Sequence, residues 1–492
     1  MLALLDATSA RPALHSPDDG TTVTHAQLAA TAAGLAGALA AAGVGRGDRV
    51  AVMLPNGPEI VAMLFATAAL GAAIAPLNPA YTEPEYRFFL ADLDPRLLVV
   101  AAGAAAAARA AAGTVRIAEL EPWAADGPPR LTAGGAHLNG AEVAGGEPDD
   151  VALLLHTSGT TSRPKQVPLL QRNLTAQAGA IARHYELADT DVSYCAMPLF
   201  HVHGLIASTL AQLAAGGTVV VPRRFSPRRF WGQARDCGVT WLSAGPTLHR
   251  MILDQPGAPA GPLRFVRSCS SALSPELMSE AEARYGVPMI EAYGMTENTH
   301  QMTSNPLPPA ERLPGSVGVP AGADVRIVDA AGADVPPGTP GEVAIHGPGL
   351  TPGYLGNAAA NAEAFFAGWF RTGDEGVLED GYLRLRGRLK EMIIRGGENI
   401  SPYEIEAVLQ AHPQVAEAVV FGVDDRKYGQ TVAAAVVVRG AVGADELREQ
   451  ARRSLAAFKV PDRIHILEQI PKTPTGKVQR SRMAARLEGD GG

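Results

Sequence analysis

Short apolar runs alternate with Ala- and Leu-rich segments along the first 220 residues of the chain. The runs that begin at Arg49, Leu97 and Thr218 have the length of strands, and the segments between them have the spacing of helices. This alternation predicts a layered α/β fold with a largely parallel sheet. From about residue 101 to residue 149 the chain is rich in Ala, Gly and Pro, which predicts a variable surface connection.

The pattern changes in the last third of the chain. Short strands separated by turns are expected between about residues 316 and 389, which indicates a β-rich subdomain. After Lys390 the pattern predicts a compact α+β unit. Its expected elements are a helix from Pro402, strands near 415–423 and 431–438, and a helix from Asp445. We therefore expect an N-terminal core over residues 1–389 and a small, mobile C-terminal domain over residues 390–492.

One uncharged stretch, from Ile60 to Leu77, is just long enough to be considered a membrane span. It is rich in Ala and contains Thr67, Gly71 and Pro76, which favours a buried helix that continues into a short core strand. We therefore expect no membrane span.

Composition narrows the possible partners and the compartment. The 492 residues carry a formal net charge of -8, which gives no broad cationic surface for a nucleic acid. The three cysteines, Cys195, Cys237 and Cys269, are widely spaced, which suits reduced thiols better than disulfides or a zinc site. The first residues lack the pattern of a secretory signal. These features predict a cytoplasmic protein.

A loop of small hydroxyl residues follows the buried strand that begins at Leu153. Backbone N–H groups, hydroxyls and an ammonium in such a loop can bind a polyphosphate. The candidate residues are Thr157, Ser158, Gly159, Thr160, Thr161 and Lys165. No glycine precedes Lys165 and Gln166 follows it, so this is not the P-loop of NTPases. Considered alone, the segment is better interpreted as an ordinary Ser/Thr turn.

Five further motifs follow this loop. They are Ser268-Cys-Ser-Ser-Ala272, Glu291-Ala-Tyr-Gly-Met-Thr-Glu297, Arg371-Thr-Gly-Asp374 with Arg388, Gly396-Gly397-Glu398-Asn399 and Pro471-Lys-Thr-Pro-Thr-Gly-Lys477. In this order they resemble the motifs of the adenylate-forming superfamily of acyl-CoA synthetases, luciferases and peptide-synthetase adenylation domains. The resemblance extends from about Thr24 to Arg480, and it implies an enzyme that uses ATP, Mg²⁺ and CoA.

The resemblance implies a role for each matched residue. Tyr293 is expected to stack on adenine, Thr296 to contact the α-phosphate, and Glu297 with Thr160 to bind Mg²⁺. Asp374 and Arg388 are expected at the ribose. The catalytic set is Lys477, Thr296 and Glu297. The other matched positions, expected at the nucleotide or CoA, are Ser270, Ser271, Ala272, Glu291, Ala292, Gly294, Lys390, Gly396 and Gly397.

The implied reaction has two steps. A carboxylate attacks the α-phosphate of ATP and releases pyrophosphate, while Mg²⁺ and Lys477 neutralise the developing charge. The C-terminal domain then rotates about Lys390 and brings Gly396 and Gly397 to the acyl-adenylate for attack by a thiol.

Four stretches are specifically similar to oxalate–CoA ligases. They are His156 to Lys165 with Ser162, Pro198 to Gly204, Arg267 to Ser271, and Thr299 to Pro306. A small acid with two charges requires hydrogen-bond donors rather than an apolar tunnel. The candidates are His203, His300, Ser270 and Thr299, with His201 as a gate near the substrate entrance. The histidines are equally compatible with packed, hydrogen-bonded core residues.

Three departures from the family pattern leave alternatives open. Gln166 replaces a glycine, Asn298 replaces a small apolar residue, and Gly245 replaces the valine expected beside the acyl site, which predicts a larger pocket. An aryl or longer acyl acid is therefore an alternative substrate, and a carrier-protein thiol or a nitrogen nucleophile is an alternative acceptor. A protein that only senses its ligand would tolerate damage at Lys477, Glu297 or Asp374, and all three are present.

Overall fold

The computed structural model describes residues 1–124, 127–138, 140, 143, 145–157, 164–257, 261–396, 398–472, 478, 480 and 483–488, without the side chains of Asn399 and Glu488. Helices and strands alternate over most of this range. The helices are α1 (His25–Ala41), α2 (Pro58–Ala69), α3 (Glu83–Leu93), α4 (Ala106–Ala111), α5 (Gln171–His184), α6 (Ala211–Ala214), α7 (Pro227–Asp236), α8 (Pro246–Leu253), α9 (Pro275–Tyr285), α10 (Ala358–Ala364), α11 (Pro402–Gln410), α12 (Ala444–Ser454) and α13 (Met483–Glu488). A π-helix spans His203–Leu210.

The strands fall into four sheets. In chain order they are β1 (Pro12–His15), β2 (Thr22–Thr24), β3 (Arg49–Met53), β4 (Ala73–Pro76), β5 (Leu97–Ala101), β6 (Ile117–Leu120), β7 (Leu131–Ala133), β8 (Ala136–His137), β9 (Val151–Thr157), β10 (Lys165–Leu170), β11 (Val192–Cys195), β12 (Thr218–Val220), β13 (Trp241–Ala244), β14 (Phe265–Ser268), β15 (Met289–Met295), β16 (His300–Ser304), β17 (Val319–Pro320), β18 (Asp324–Val328), β19 (Gly341–His346), β20 (Phe365–Phe366), β21 (Trp369–Glu379), β22 (Tyr382–Arg388), β23 (Ile393–Arg395), β24 (Glu398–Ile400), β25 (Val415–Asp425), β26 (Gly429–Val438) and β27 (Arg463–Leu467).

Two of these sheets build the N-terminal region. One has the order β17-β16-β15-β14-β13-β11-β12-β1-β2 and the other β10-β9-β4-β3-β5-β6-β7-β8. Most interior pairs, such as β13 with β14 and β3 with β4, are parallel, and the antiparallel pairs lie at or next to the sheet edges. The prediction of a layered α/β fold with parallel strands is confirmed, although the strands form two sheets rather than one.

The stretch from Ile60 to Leu77 contains most of α2 and all of the strand β4. Every residue of both elements is buried, because α2 packs against α1 and β4 lies between β3 and β9. The prediction of a buried helix followed by a core strand is therefore confirmed. In the described part of the chain, no helix is both long and apolar enough to cross a membrane.

The prediction of an irregular surface connection over residues 101–149 is wrong in part. This segment contains α4 and the strands β6, β7 and β8, which extend the eight-stranded sheet at its edge. β6 pairs in parallel with β5 and alternates between half-buried and buried residues. With only four residues, it is too short for that alternation to be recognised in an Ala-rich background.

The β-rich subdomain is confirmed as an antiparallel sheet of order β18-β19-β21-β20, with β22 paired to β21. In the C-terminal region, β24-β23-β26-β25 and β27 form a further sheet. The expected elements α11, β25, β26 and α12 are present within two residues of their predicted positions, whereas β23, β24 and β27 were not predicted. The domain boundary at residue 390 stays a prediction.

Candidate active site

Three of the segments singled out from the sequence lie at one edge of the nine-stranded sheet. Strands β13, β14 and β15 are parallel neighbours, with Ser243 aligned to Arg267 and Ser268 aligned to Glu291. The carboxyl ends of parallel strands lie at the same edge, so Gly245, the turn after Ser268 and Tyr293 are brought together. This edge is the position at which open α/β sheets bind ligands.

Tyr293, Asp374 and Arg388 form a connected polar group. The Tyr293 hydroxyl donates to Oδ2 of Asp374, and Nε of Arg388 lies 3.1 Å from Oδ1 of the same carboxylate. Strands β21 and β22 place Asp374 opposite Arg388 in register. Burial, followed by the negative charge of Asp374, holds the pKa of Tyr293 well above its usual range, so its hydroxyl stays a donor. The predicted ribose residues are thus adjacent, and the Tyr293 ring lies beside them.

Glu297 is the residue that is expected to bind Mg²⁺ beside the phosphates. It belongs to a short 3-10 turn with Thr296, and its Oε1 accepts a hydrogen bond of 2.9 Å from the Tyr354 hydroxyl. The Lys165 ammonium lies 4.4 Å from the centre of the Tyr354 ring. A carboxylate has about four acceptor sites, so the bond from Tyr354 leaves Glu297 with capacity for a hard cation such as Mg²⁺. The residues present here fit a metal–polyphosphate group.

Glu291 and Gly294 shape the same strand. Burial raises the pKa of Glu291 to about 8, and its Oε1 accepts a bond of 3.3 Å from the Leu273 backbone N–H. Glu291 therefore fixes the end of the exposed turn that contains Ser270, Ser271 and Ala272. Gly294 has to be glycine, because a Cβ there would collide with the backbone oxygen of His300. Ala292 is buried between them.

A cluster of Arg267, Ser243, His203 and Ser270 lies beside this turn. Nδ1 of His203 is 2.9 Å from Oγ of Ser270, and Nε2 of His203 is 2.7 Å from Oγ of Ser243. Nη1 of Arg267 donates to Oγ of Ser243 at 2.9 Å and lies 3.5 Å from Nε2 of His203. Ser270 has a φ of 79°, which is an uncommon conformation for serine.

Arg267 is fully buried. Besides Ser243 it donates to the Tyr185 hydroxyl at 2.8 Å and to Oε1 of Gln301 at 3.1 Å, and these three partners are all uncharged. Among the side chains that the structure describes, no carboxylate pairs with Arg267. A buried cation without a counter-charge is costly, so this part of the protein is electrostatically suited to an anion.

His300 completes the cluster. Its ring lies edge-on to His203 with centroids 4.9 Å apart, and it is 2% exposed. Within the described residues neither ring nitrogen has a hydrogen-bond partner. Burial, followed by the charges of neighbouring groups, lowers the pKa of both His203 and His300 well below the usual value, so both rings are neutral. A buried ring with two unused nitrogens is a candidate ligand-binding group.

The other predicted acid-site residues have different surroundings. Thr299 donates its hydroxyl proton to the Gly349 carbonyl at 2.6 Å, so it has no proton left for an acid, and we do not retain the predicted donor role. His201, two residues before His203 in the chain, is half-buried and packs on the Phe200 ring. Gly245 precedes α8, and a Cβ there would lie 3.5 Å from the Cys269 carbonyl, which leaves space where a side chain is absent.

The remaining predicted positions lie at the expected hinge and its following loop, at the end of β9, or outside the described residues. Lys390 is exposed, with Nζ 3.4 Å from Oε1 of Glu363, and Gly396 has a φ of 61° in the turn between β23 and β24. Thr157 ends β9. The predicted site residues outside the described range are Ser158, Gly159, Thr160, Thr161, Gly397 and Lys477.

The structure also explains Gln166, one of the departures from the family pattern. Its Nε2 donates to the backbone oxygen and to Oδ2 of Asp92, both at 2.7 Å, and His156 Nε2 lies 2.9 Å from the same Oδ2. Gln166 and His156 face each other across β9 and β10. Asp92 therefore joins both sides of the predicted phosphate loop to α3. Asp92, Ser243 and Arg267 were not among the candidate site residues, although Arg267 begins one of the stretches that are similar to oxalate–CoA ligases.

Known proteins resemble this chain over most of its length. A family model described as AMP-binding enzyme matches residues 5–355, and one described as AMP-binding enzyme C-terminal domain matches residues 404–477. The chain is 44% identical over 453 residues to an oxalate–CoA ligase of Arabidopsis thaliana, with 89% of this chain and 88% of that protein covered. It is 40% identical over 483 residues to a sulfoacetate–CoA ligase of Cupriavidus necator, with 96% and 94% covered. The crystal structure of ATP-bound MatB from Rhodopseudomonas palustris matches with a TM-score of 0.89 at 29% identity, covering 99% of this chain and 98% of that one.

Proposed function

Because this chain belongs to the AMP-binding enzyme family, we propose that it is an ATP-dependent acid–CoA ligase whose acid is oxalate or another small acid with two negative charges. The enzyme joins a carboxylic acid to the thiol of CoA through an acyl-adenylate and releases pyrophosphate. The identity of the acid is a proposal. We also propose that the enzyme is cytoplasmic and that its cation is Mg²⁺.

One observation supports the choice of acid. The buried guanidinium of Arg267 has no carboxylate partner among the described side chains, and it lies next to His203, Ser270 and His300. This arrangement supplies positive potential and hydrogen-bonding groups in place of an apolar tunnel. Both features favour a short acid whose second carboxylate stays ionised. Two of the similar proteins are ligases for oxalate and for sulfoacetate.

The chain's residues have separate tasks in the first step. Asp374 accepts hydrogen bonds from the ribose hydroxyls, with Arg388 holding its carboxylate in place. Glu297 is the carboxylate that would hold Mg²⁺, and the ion would neutralise charge on the phosphates when bound. Thr296 contacts the α-phosphate, and Lys477 bridges that phosphate and the substrate carboxylate. The cluster around His203 binds the end of the acid that does not react.

The second step uses the C-terminal region. Lys390 is exposed, and Gly396 forms a turn with a positive φ that favours glycine. These properties suit a hinge and a loop that approaches a ligand through its backbone. We propose that rotation at Lys390 removes Lys477 and brings Gly396 and Gly397 beside the thiol.

Gly245 favours a second candidate, an aryl or longer acyl acid. A Cβ at this position would meet only the Cys269 carbonyl, at an ordinary contact distance of 3.5 Å. The absent side chain therefore leaves volume near the turn that contains Ser270. Gly245→Val fills that volume, so it should lower activity with a bulky acid and leave activity with oxalate nearly unchanged.

The test measures acid-dependent pyrophosphate release with ATP and Mg²⁺ for oxalate, malonate, benzoates, cinnamates and medium-chain fatty acids, each with and without CoA. The proposal predicts the highest kcat/KM for oxalate, with a thioester formed only when CoA is present. Preference for a cinnamate or a fatty acid would replace oxalate by the second candidate. Pyrophosphate release without any thioester would move the search to a carrier-protein thiol or a nitrogen nucleophile.

A further inference from the structure

The hydrogen bonds around His203 form a chain in which the donor at each step is determined by the previous one. An arginine side chain carries only donors, so Nη1 of Arg267 must donate to Oγ of Ser243. A serine hydroxyl has a single proton. Among the described atoms, the other partner of Oγ of Ser243 is Nε2 of His203, at 2.7 Å. Ser243 therefore donates its proton to Nε2.

This direction determines the tautomer of His203. A neutral imidazole has one N–H and one acceptor nitrogen, and Nε2 is the acceptor here. Arg267 reinforces this assignment, because its Nη1 lies 3.5 Å from Nε2 and can only donate. The ring proton is then on Nδ1, which donates to Oγ of Ser270 at 2.9 Å.

The tautomer in turn determines what Ser270 offers to a ligand. Ser270 is exposed on the turn after β14, and its hydroxyl accepts from Nδ1 of His203. Its own proton is therefore free to point towards the acid site. With the opposite tautomer, Ser270 would donate to Nδ1 and present only lone pairs, which repel a carboxylate.

We propose that Arg267 and Ser243 are positioning residues that hold His203 in its Nδ1-protonated form, so that the exposed Ser270 hydroxyl acts as a hydrogen-bond donor to the acid. Neither positioning residue touches the acid. The β-sheet makes the arrangement possible, because Ser243 and Arg267 are aligned on adjacent strands and face the first residue of the π-helix, His203. The part that concerns acid binding rests on the proposed function, whereas the tautomer does not.

The first test observes the tautomer directly in the wild-type enzyme. ¹⁵N NMR of the enzyme labelled at histidine distinguishes protonated from unprotonated ring nitrogens, and His203→Gln identifies the signals of His203. We expect a protonated Nδ1 and an unprotonated Nε2. A protonated Nε2 would overturn the proposal whatever the substrate is, and this measurement needs no substitution at Arg267.

The second test compares Arg267→Met with Arg267→Lys. Methionine removes the donor, so His203 should show a mixture of both tautomers, and lysine should restore part of the Nδ1-protonated form. The loss of one donor to a charged group corresponds to about a tenfold rise in KM for oxalate. kcat and the KM for ATP should stay within about twofold, because ground-state and transition-state binding of the acid weaken together.

The two tests separate this inference from the proposed function. If wild-type enzyme does not activate oxalate but His203 has the expected tautomer, the proposed acid is wrong and the inference stands. If oxalate is activated and Arg267→Met leaves both the tautomer and the KM for oxalate unchanged, the inference is wrong. Glu280→Gln is the matched control, because Glu280 is exposed, pairs with Arg250 and lies outside the site.

Discussion

Two buried arginines, Arg267 in the N-terminal region and Arg480 in the C-terminal region, have opposite surroundings. Arg480 pairs with Glu406 and lies 3.0 Å from Oε2 of Glu391, and its guanidinium packs over the Tyr403 ring. Arg267 has only neutral hydrogen-bond partners among the described residues. Arg480 thus holds parts of the protein together, whereas the charge of Arg267 remains available to an anionic ligand.

Glu291 shows why an unpaired arginine differs from an unpaired carboxyl group. It lies on β15 next to β14, but its partner in register is Ser268, so it faces away from Arg267. Its raised pKa of about 8 means that it is mostly protonated at neutral pH. An arginine cannot lose its charge in this way. The positive charge beside His203 is therefore permanent.

Arg480→Met should have the largest effect on stability. It leaves the buried Glu406 and the half-buried Glu391 without their cation, and breaking a buried ion pair in this way costs about 3–5 kcal/mol. Arg480 donates to the Val420 carbonyl on β25, so backbone amide hydrogen exchange in β25 should become faster when this stability is lost. Adding Glu406→Gln should recover part of it. If Arg480→Met alone left hydrogen exchange in β25 unchanged, the ion pair between Arg480 and Glu406 would not stabilise the fold.

Glu291→Gln should change how stability depends on pH. The folded-state pKa of Glu291 is raised, so its contribution is fully present below the unfolded pKa and is lost as pH rises towards about 8. Between about pH 5 and pH 8, the free energy of unfolding of the wild type should fall by about 3 kcal/mol relative to the variant. Chemical denaturation of both proteins at several pH values measures this difference. Parallel pH profiles would contradict the assignment of a neutral Glu291.

Arg267→Met should be less destabilising than Arg480→Met, which sharpens the contrast between the two arginines. The substitution leaves only hydroxyl and amide partners unpaired, at a cost of about 1–3 kcal/mol. Thermal unfolding of both variants under identical conditions makes the comparison. An equal or larger loss for Arg267→Met would indicate that Arg267 is chiefly structural.

Glu280→Gln should have the smallest effect. Arg250 and Glu280 form a 2.7 Å ion pair in which the carboxylate is 49% exposed. Exposed pairs of this kind contribute about 0–1 kcal/mol because water screens them. Thermal unfolding should show a change close to the error of the measurement. A large change in unfolding temperature would mean that solvent exposure does not explain why the Arg250–Glu280 pair contributes less to stability than the Arg480 ion pairs.

Much of the fold was predictable from periodicity and turn residues. The buried helix and strand within residues 60–77, the β-rich sheet before Lys390 and the helices that start near Pro402 and Asp445 all follow the expected patterns. Short strands with weak alternation, such as β6 and β27, were not predicted. Local pattern also does not reveal how strands divide between sheets, because that depends on tertiary packing.

The site was predictable where family motifs identify it and not where packing creates it. All five of the residues His203, His300, Ser270, Asp374 and Arg388 came from motifs. The first three lie in one cluster, and the last two form an ion pair on adjacent strands. The roles of Ser243 and of Arg267, which begins a quoted stretch, were missed because β13 and β14 are buried on both faces, so alternation does not mark an unusual position. A charged residue inside a continuously buried strand was the available signal.

The central claim is that this ligase selects a small acid with two negative charges. The most direct test compares kcat/KM for acid-dependent pyrophosphate release with oxalate and with oxamate, which has nearly the same shape and one negative charge. Because the unpaired charge of Arg267 lies near the acid site and the Ser270 hydroxyl donates to the acid, the wild type should prefer oxalate by about tenfold or more, and Arg267→Met should remove most of this preference. Equal kcat/KM values for the two acids in the wild-type enzyme would contradict the account.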